Sequence, residues 1–206
     1  MRCFTPVKEL EKTTTEKGKP KESDVLFPAK SQFRYIQDNF RDSDFLICDD
    51  LGNEIADFIT ITDGKGISFY HAKSDHTKTL SATAFHIVVS QAEKNLGSVI
   101  NVDNMNLQNK KKLWSKKFPT TNIPRLISRV ENKTSEDAIK MLEKNSSGIV
   151  TKKVCLVVDF ISKEKLKKEL GKEHIKSEAL QILWLLASFI TICDELNVTP
   201  EILCKP

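Results

Sequence analysis

The stretch from Cys48 to Asn95 constrains this chain most, because its hydrophobic period changes within it. Two short apolar runs, Ile55 to Ile61 and Ile67 to Tyr70, are separated by Thr62-Asp63-Gly64-Lys65-Gly66. An Asp-Gly step followed by a second glycine between such runs specifies a β-hairpin, since glycine takes the positive φ that tight hairpin turns require. Side chains alternate along a strand, so His71 and Lys73 point to one face, and Asp57 on the partner strand can converge on them. A carboxylate on one strand and a ligand-x-Lys on the next can hold a divalent cation and set a phosphodiester against it. The carboxylate binds the metal, and the lysine brings a mobile charge to the attacking water or the developing phosphorane. From Ser81 the period becomes helical. Phe85, Val88, Val89, Ala92 and Leu96 predict an amphipathic helix from about Ala82 to Val99.

Each of these residues also has a plainer reading. An aspartate inside the run Ile55–Ile61 interrupts a strand at a cost unless it is paired, capped or metal-bound. A lone histidine on a strand is commonly a hydrogen-bonded core residue, and Lys73 two places on is what favours a site. Glu54 should face away from Asp57, and turn chemistry accounts for Asp49 and Asp50 as well as a ligand role does. Gln91 and Asn95 lie one turn apart on the margin of the helical stripe, where a polar side chain can still reach the end of the sheet.

Around this centre, residues 1–30 are rich in Lys, Glu and Thr, with Pro6, Pro20 and Pro28, and read as a polar, flexible tail. Residues 31–206 then form a single domain. Phe33, Ile36 and Phe40 predict a short helix capped by Ser31, and Phe45–Cys48 a strand. Residues 101–130 show no clean period and read as a long loop. Thr134 to Lys144 is a candidate helix, Val154–Phe160 a strand buried on both faces, and Ser162 the cap of a Lys-rich helix. The segment Glu178–Leu196 is hydrophobic nearly all round, which predicts a helix central to the core, and Glu201–Cys204 closes the chain as a short strand.

At 206 residues, 39% hydrophobic and 29% charged, the chain has the composition of a globular protein with a sizeable core. No run reaches the roughly 18 apolar residues of a membrane span, and no secretory signal opens the sequence. Five scattered cysteines without a CxxC pair predict buried thiols in a reducing, cytoplasmic setting. There is no Gly-rich phosphate loop, which excludes Walker-type ATP hydrolysis. A net charge of +4 is too small to announce nucleic acid. Its distribution says more: Lys110, Lys111, Lys112, Lys116 and Lys117 crowd around Trp114, with Arg125 and Arg129 following. Such a cluster can neutralise phosphates while the tryptophan stacks on an unpaired base. The other reading is a solvated loop that Trp114 anchors to the core.

The order Asp57, hairpin, His71-x-Lys73, helix resembles the PD-(D/E)XK nuclease superfamily. The wordings "CDDxGxEIADFI", "HAK" and "SxxAxxxVVxQAxKNL" resemble a narrower group, a restriction-endonuclease-like domain at the C-terminus of larger, often helicase-bearing, bacterial phage-defence proteins. The similarity continues through "KKVCLVVDFISKEKL", "EALQILWLLASFI" and "ILCKP", and so covers roughly residues 31 to 206. It implies an α/β (α+β) fold, a mixed central β-sheet flanked by helices with an αβββαβ core. It also implies a metal-dependent deoxyribonuclease. Asp57 and His71, with the Ala72 carbonyl, would hold Mg²⁺ or Mn²⁺, Lys73 would orient or activate water, and Gln91 would support the site. The basic cluster would grip DNA, with RNA left open as a target, and a helicase or other defence protein is the implied partner. Several branches carry Gln-x-x-x-Tyr on the corresponding helix; Gln91 matches the first position and Asn95 replaces the tyrosine. The larger departure is His71, which stands where the superfamily usually has an acidic residue. Imidazole suits Mn²⁺ better than Mg²⁺, so either the site uses a softer ion or it binds without cutting. The alternatives are accordingly a catalytically inactive nucleic-acid-binding module and a domain that docks a defence partner.

Overall fold

A computed structural model describes residues 2–40, 42–50, 52–147 and 150–206, with the backbone alone for Asp103 and Asn104. The strands are β1 (Phe4–Pro6), β2 (Phe45–Cys48), β3 (Phe58–Thr62), β4 (Gly66–Lys73), β5 (Leu126–Ser128), β6 (Thr151–Ser162) and β7 (Thr199–Lys205). The helices are α1 (Gln32–Asn39), α2 (Ala82–Ile100), α3 (Leu107–Trp114), α4 (Ser135–Ser147), α5 (Lys163–Leu170) and α6 (Ser177–Glu195), with 3-10 turns at Lys8–Lys12 and Val102–Met105. The strands form one mixed sheet in the order β1-β7-β6-β4-β3-β2-β5. From β1 to β4 neighbours run parallel, and from β4 to β5 they run antiparallel. The expected mixed α/β fold is therefore present, and α1, β2, β3, β4, α2 and β6 follow one another in the expected αβββαβ order, with α3, β5 and α4 inserted before β6.

The hairpin forms for the reason its turn suggests. Gly64 sits at φ +64, a value L side chains adopt at a cost. Gly66 serves a different end: a Cβ there would stand 2.3 Å from the backbone oxygen of Thr151, so only glycine lets β6 pair at this point. Ser31 caps α1 by accepting from Arg34 N–H, and Ser81 caps α2 by accepting from Ala84 N–H.

Strand alternation sends side chains into two apolar layers. Phe45, Ile47, Ile59, Ile67, Phe69 and Leu156 face α2 and α6, where they meet Phe85, Val88, Ala92, Ile182 and Phe189. Leu46, Phe58, Ala72 and Val157 face the other way, onto Phe33 and Ile36 of α1. Edge-on rings complete this second layer, Phe33 lying 4.8 Å from Phe58 and 5.0 Å from Phe27.

Three sequence expectations need correction. The described part of the expected tail, residues 2–30, is not a tail: β1 pairs with β7, and Leu10 and Phe27 are buried against α1. The polar composition hid Phe4, Val7, Leu10 and Phe27, which are enough to tie the segment down. Residues 101–130 are not a loop but carry α3 and β5. Finally, α6 is central on one side only. Ala179, Ile182, Leu186, Phe189 and Cys193 are buried, whereas Leu180, Leu183 and Trp184 are exposed. By length and composition α6 is apolar enough to cross a membrane, yet it packs on α2 as a wall of the core. All five cysteines are free thiols, and only Cys3 is not fully buried.

Candidate active site

The sheet positions a cluster of charged groups just beyond the paired end of β3. Asp57 lies one step past the last rung, Phe58 opposite Tyr70, and its N–H donates to the Tyr70 carbonyl at 2.9 Å. Its Oδ2 accepts from Ala72 N–H at 2.6 Å. In an antiparallel ladder the N–H and C=O of one residue face the same neighbour, so the Ala72 carbonyl leaves β4 on the side of Asp57. Burial pushes the Asp57 carboxyl up to about 8, the Ala72 N–H opposes this, and the nearby carboxylates Glu16, Asp50 and Glu54 add to it.

Lys73 closes the other side of the cluster. Its Nζ stands 3.2 Å from Glu16 Oε2, and its carbonyl accepts from Gln32 Nε2 at 2.8 Å. Beside this pair Lys17 Nζ meets Asp50 Oδ2 at 2.8 Å. Burial alone would lower the Lys17 ammonium, but the hydrogen bond and charge of Asp50 outweigh it and hold it above its ordinary value. Glu16 and Lys17 reach the site because residues 14–16 run against the start of α1: Gln32 N–H donates to the Thr15 carbonyl and Phe33 N–H to that of Glu16. Sequence reasoning missed both, since nothing in the local pattern of a polar tract says that it packs. It also missed Asp159, which is fully buried within the C-terminal third of β6. Asp159 accepts from Ser74 Oγ at 2.6 Å, Asp75 N–H at 2.9 Å and Thr13 Oγ1 at 3.3 Å, and so fixes the turn that follows Lys73. Its signal was an aspartate inside an apolar strand.

His71 shares the face of Ile67 and Phe69, the face that α2 covers. It is buried, and its Nε2 has no hydrogen-bond partner. Burial, helped by the charge of Lys94, holds this imidazole down to about 3, so it is neutral at any working pH. Gln91 is half-buried on α2, and Asn95 one turn on donates its amide to the Glu54 carbonyl at 3.4 Å.

The basic cluster divides. Lys110, Trp114 and Arg125 are buried and are not available to nucleic acid. Lys110 Nζ meets both oxygens of Asp49, at 2.6 and 2.8 Å, while Trp114 Nε1 donates to Oδ1 at 2.8 Å and Ile55 N–H to Oδ2 at 3.0 Å. Arg125 donates to the carbonyls of Cys48 and Asp50 and stacks on Phe118. The physical reason is Asp49: a fully buried carboxylate needs a matching cation and donors, and α3 supplies them. Of the other lysines, half-buried Lys111 pairs with Glu136 and exposed Lys117 with Asn122, which leaves Lys112 and Lys116 with no side-chain partner among the described residues.

Among the described residues no three His, Cys, Asp or Glu side chains come together as a metal cage. Asp57, the Ala72 carbonyl and His71 are the donors that would hold a divalent ion keeping several waters, a set with one imidazole nitrogen that suits Mn²⁺ better than Mg²⁺. Asp57 offers a buried carboxyl that the charge of Lys17 reaches, Ala72 a carbonyl, and His71 a neutral, unpartnered nitrogen. Comparison of this chain with protein-family models, with curated proteins and with solved structures gives no match.

Proposed function

We propose that this sheet end is a metal-dependent phosphodiesterase site acting on DNA, in a cytoplasmic protein of a bacterial defence system. The observation that carries the reading is the meeting, at one edge, of the buried Asp57 carboxyl pushed up to about 8 with a second acid, Glu16, and the ammonium of Lys73. Buried carboxyls beside a lysine are the groups that hold a cation and a water against a phosphate. Asp57 and His71, with the Ala72 carbonyl, would hold the divalent ion. When bound, that ion supplies a Lewis acid for the phosphoryl oxygen. Lys73 Nζ would orient the attacking water and stabilise charge on the phosphoryl group, drawn between Glu16 and the substrate. Gln91 would support the same edge from α2. The resemblance to the PD-(D/E)XK superfamily supports this assignment and implies a helicase or other defence protein as the partner.

Plasmid and linear single- and double-stranded DNA, incubated with Mg²⁺ or Mn²⁺, test the reading. Cutting should appear with at least one ion and fall by ~100-fold or more in both Asp57→Ala and Lys73→Ala, the scale of losing a preorganised electrostatic group. Undiminished cutting in either variant rejects it. A catalytically inactive nucleic-acid-binding module is the second reading. It is favoured by the 3.2 Å pair that engages Lys73 with Glu16 and by the absence of a third side-chain ligand among the described residues. Binding without cutting under either ion would select it.

A further inference from the structure

A cleft beside the Asp57 edge plays no part in the chemistry above. It has a volume of about 670 Å³ and lies between the turn at Gly52–Ile55, the end of α2 from Lys94 to Ser98, and α3 with its approach at Met105 and Asn106. The wall it shares with the site is short: Asn95 holds the Glu54 carbonyl, and Glu54 lies three residues ahead of Asp57. Glu54 turns its own carboxylate onto Gly52 N–H at 2.6 Å.

The lining has three kinds of group. Lys94, Lys112 and Lys116 are exposed, and among the described residues their ammonium groups have no carboxylate or carbonyl partner. Asn106, at φ 48, heads α3 without its side chain capping the helix, and the Asn109 amide is likewise unengaged among the described residues. Met105 and Leu113 supply an apolar floor. Three cations without partners suit phosphates. Unengaged amides over an apolar floor suit the edge and face of a base, and in a duplex those are stacked and paired away. The cleft falls within the ~300–1,000 Å³ range of sites that enclose a small organic ligand, which admits nucleotides of one strand but not a double helix.

We propose that this cleft takes an unpaired stretch of nucleic acid, with phosphates on Lys94, Lys112 and Lys116 and an unstacked base between Asn106, Asn109 and the Met105–Leu113 floor. It leads that strand to the Asp57 edge, and only for this destination does the inference rest on the hydrolytic reading. The substrate class is therefore single-stranded, or a duplex with a frayed or flapped end.

The test is fluorescence anisotropy with the full chain carrying Asp57→Asn, in EDTA, so that no cutting intervenes. The probes are a labelled single-stranded DNA, the same sequence as RNA, and the DNA duplex. The single strand should bind at least ~10-fold more tightly than the duplex. Lys112→Gln with Lys116→Gln should weaken it by ~10-fold and flatten the slope of log affinity against log salt by about 1.4, at ~0.7 per lost phosphate contact on single strands. Lys165→Gln with Lys168→Gln, exposed residues on α5, makes the same change in net charge and should leave binding unchanged. Equal affinity for duplex, or an equal loss in both double variants, overturns the proposal. The RNA arm decides whether the 2′-OH is tolerated. Native protein that cuts DNA without strand preference would reject the cleft and keep the hydrolytic site. Tight single-strand binding without cutting would do the reverse.

Discussion

Asp57 carries a charge problem that pH exposes. Its folded value of about 8 lies above the ordinary 3.8, so the fold favours the protonated form. Stability from such a group is complete below the ordinary value and is lost as pH rises through the folded one. In metal-free protein Asp57→Asn should therefore melt higher than the native chain, by a margin that grows from about pH 4 to pH 8 and reaches a few kcal/mol, at ~1.4 kcal/mol per pH unit. Thermal melts at pH 5, 7 and 8.5 in EDTA measure this, and a margin that shrinks with pH would show that burial does not govern the carboxyl. A divalent ion that binds here releases the proton, so Mn²⁺ should raise the native melting temperature more at pH 8.5 than at pH 5 and leave Asp57→Asn unmoved. At this scale the hairpin that pairs Phe58, next to Asp57, with the strand of His71 and Lys73 was legible. The burial of His71 was not, because it depends on what α2 lays over it, and Glu16 gave no local sign at all.

Among the elements, α3 shows how a run of lysines can mislead. Five lysines around a tryptophan resemble a phosphate grip, yet Lys110 and Trp114 face inward to Asp49, more than sixty residues earlier in the chain. Burial of that carboxylate decides the face of the helix, and no pattern inside residues 101–130 contains the information. Removing one partner of a buried pair leaves the other charge uncompensated. Lys110→Met should thus cost about 3–5 kcal/mol in urea unfolding, whereas Lys112→Gln, on the exposed side, should cost under about 0.5 kcal/mol. A neutral Lys110→Met would mean that α3 is not seated on Asp49. By contrast the hairpin, α2 and β6 were all legible, because their hydrophobic period or turn chemistry is written locally. The outer side of α6 was misread for the opposite reason: its apolar residues continue past the face that the sheet covers.

For the molecule as a whole, the first thirty residues belong to the fold and to its site. They supply the edge strand β1, cover the α1 layer through Leu10 and Phe27, and bring Glu16 to Lys73. Leu10→Ala should lower stability by about 2–5 kcal/mol, as for other buried leucines, and a chain lacking residues 1–16 should show a lower urea midpoint than the full chain. An unchanged midpoint in both would return the segment to the status of a tail. Composition could not decide this, since the tract is polar on average and the four buried residues Phe4, Val7, Leu10 and Phe27 are still enough to hold it.

The two tryptophans occupy opposite environments, Trp114 at 1% exposure against Asp49 and Trp184 at 76% on the outer side of α6. The protein therefore has two intrinsic optical reporters that can be read apart. Iodide should quench the long-wavelength emission of Trp184 and leave a blue-shifted remainder from Trp114, and Trp184→Phe should isolate that remainder. What is left then reports the seating of α3 directly, so any ligand in the neighbouring cleft that disturbs Asp49 should be visible without a label.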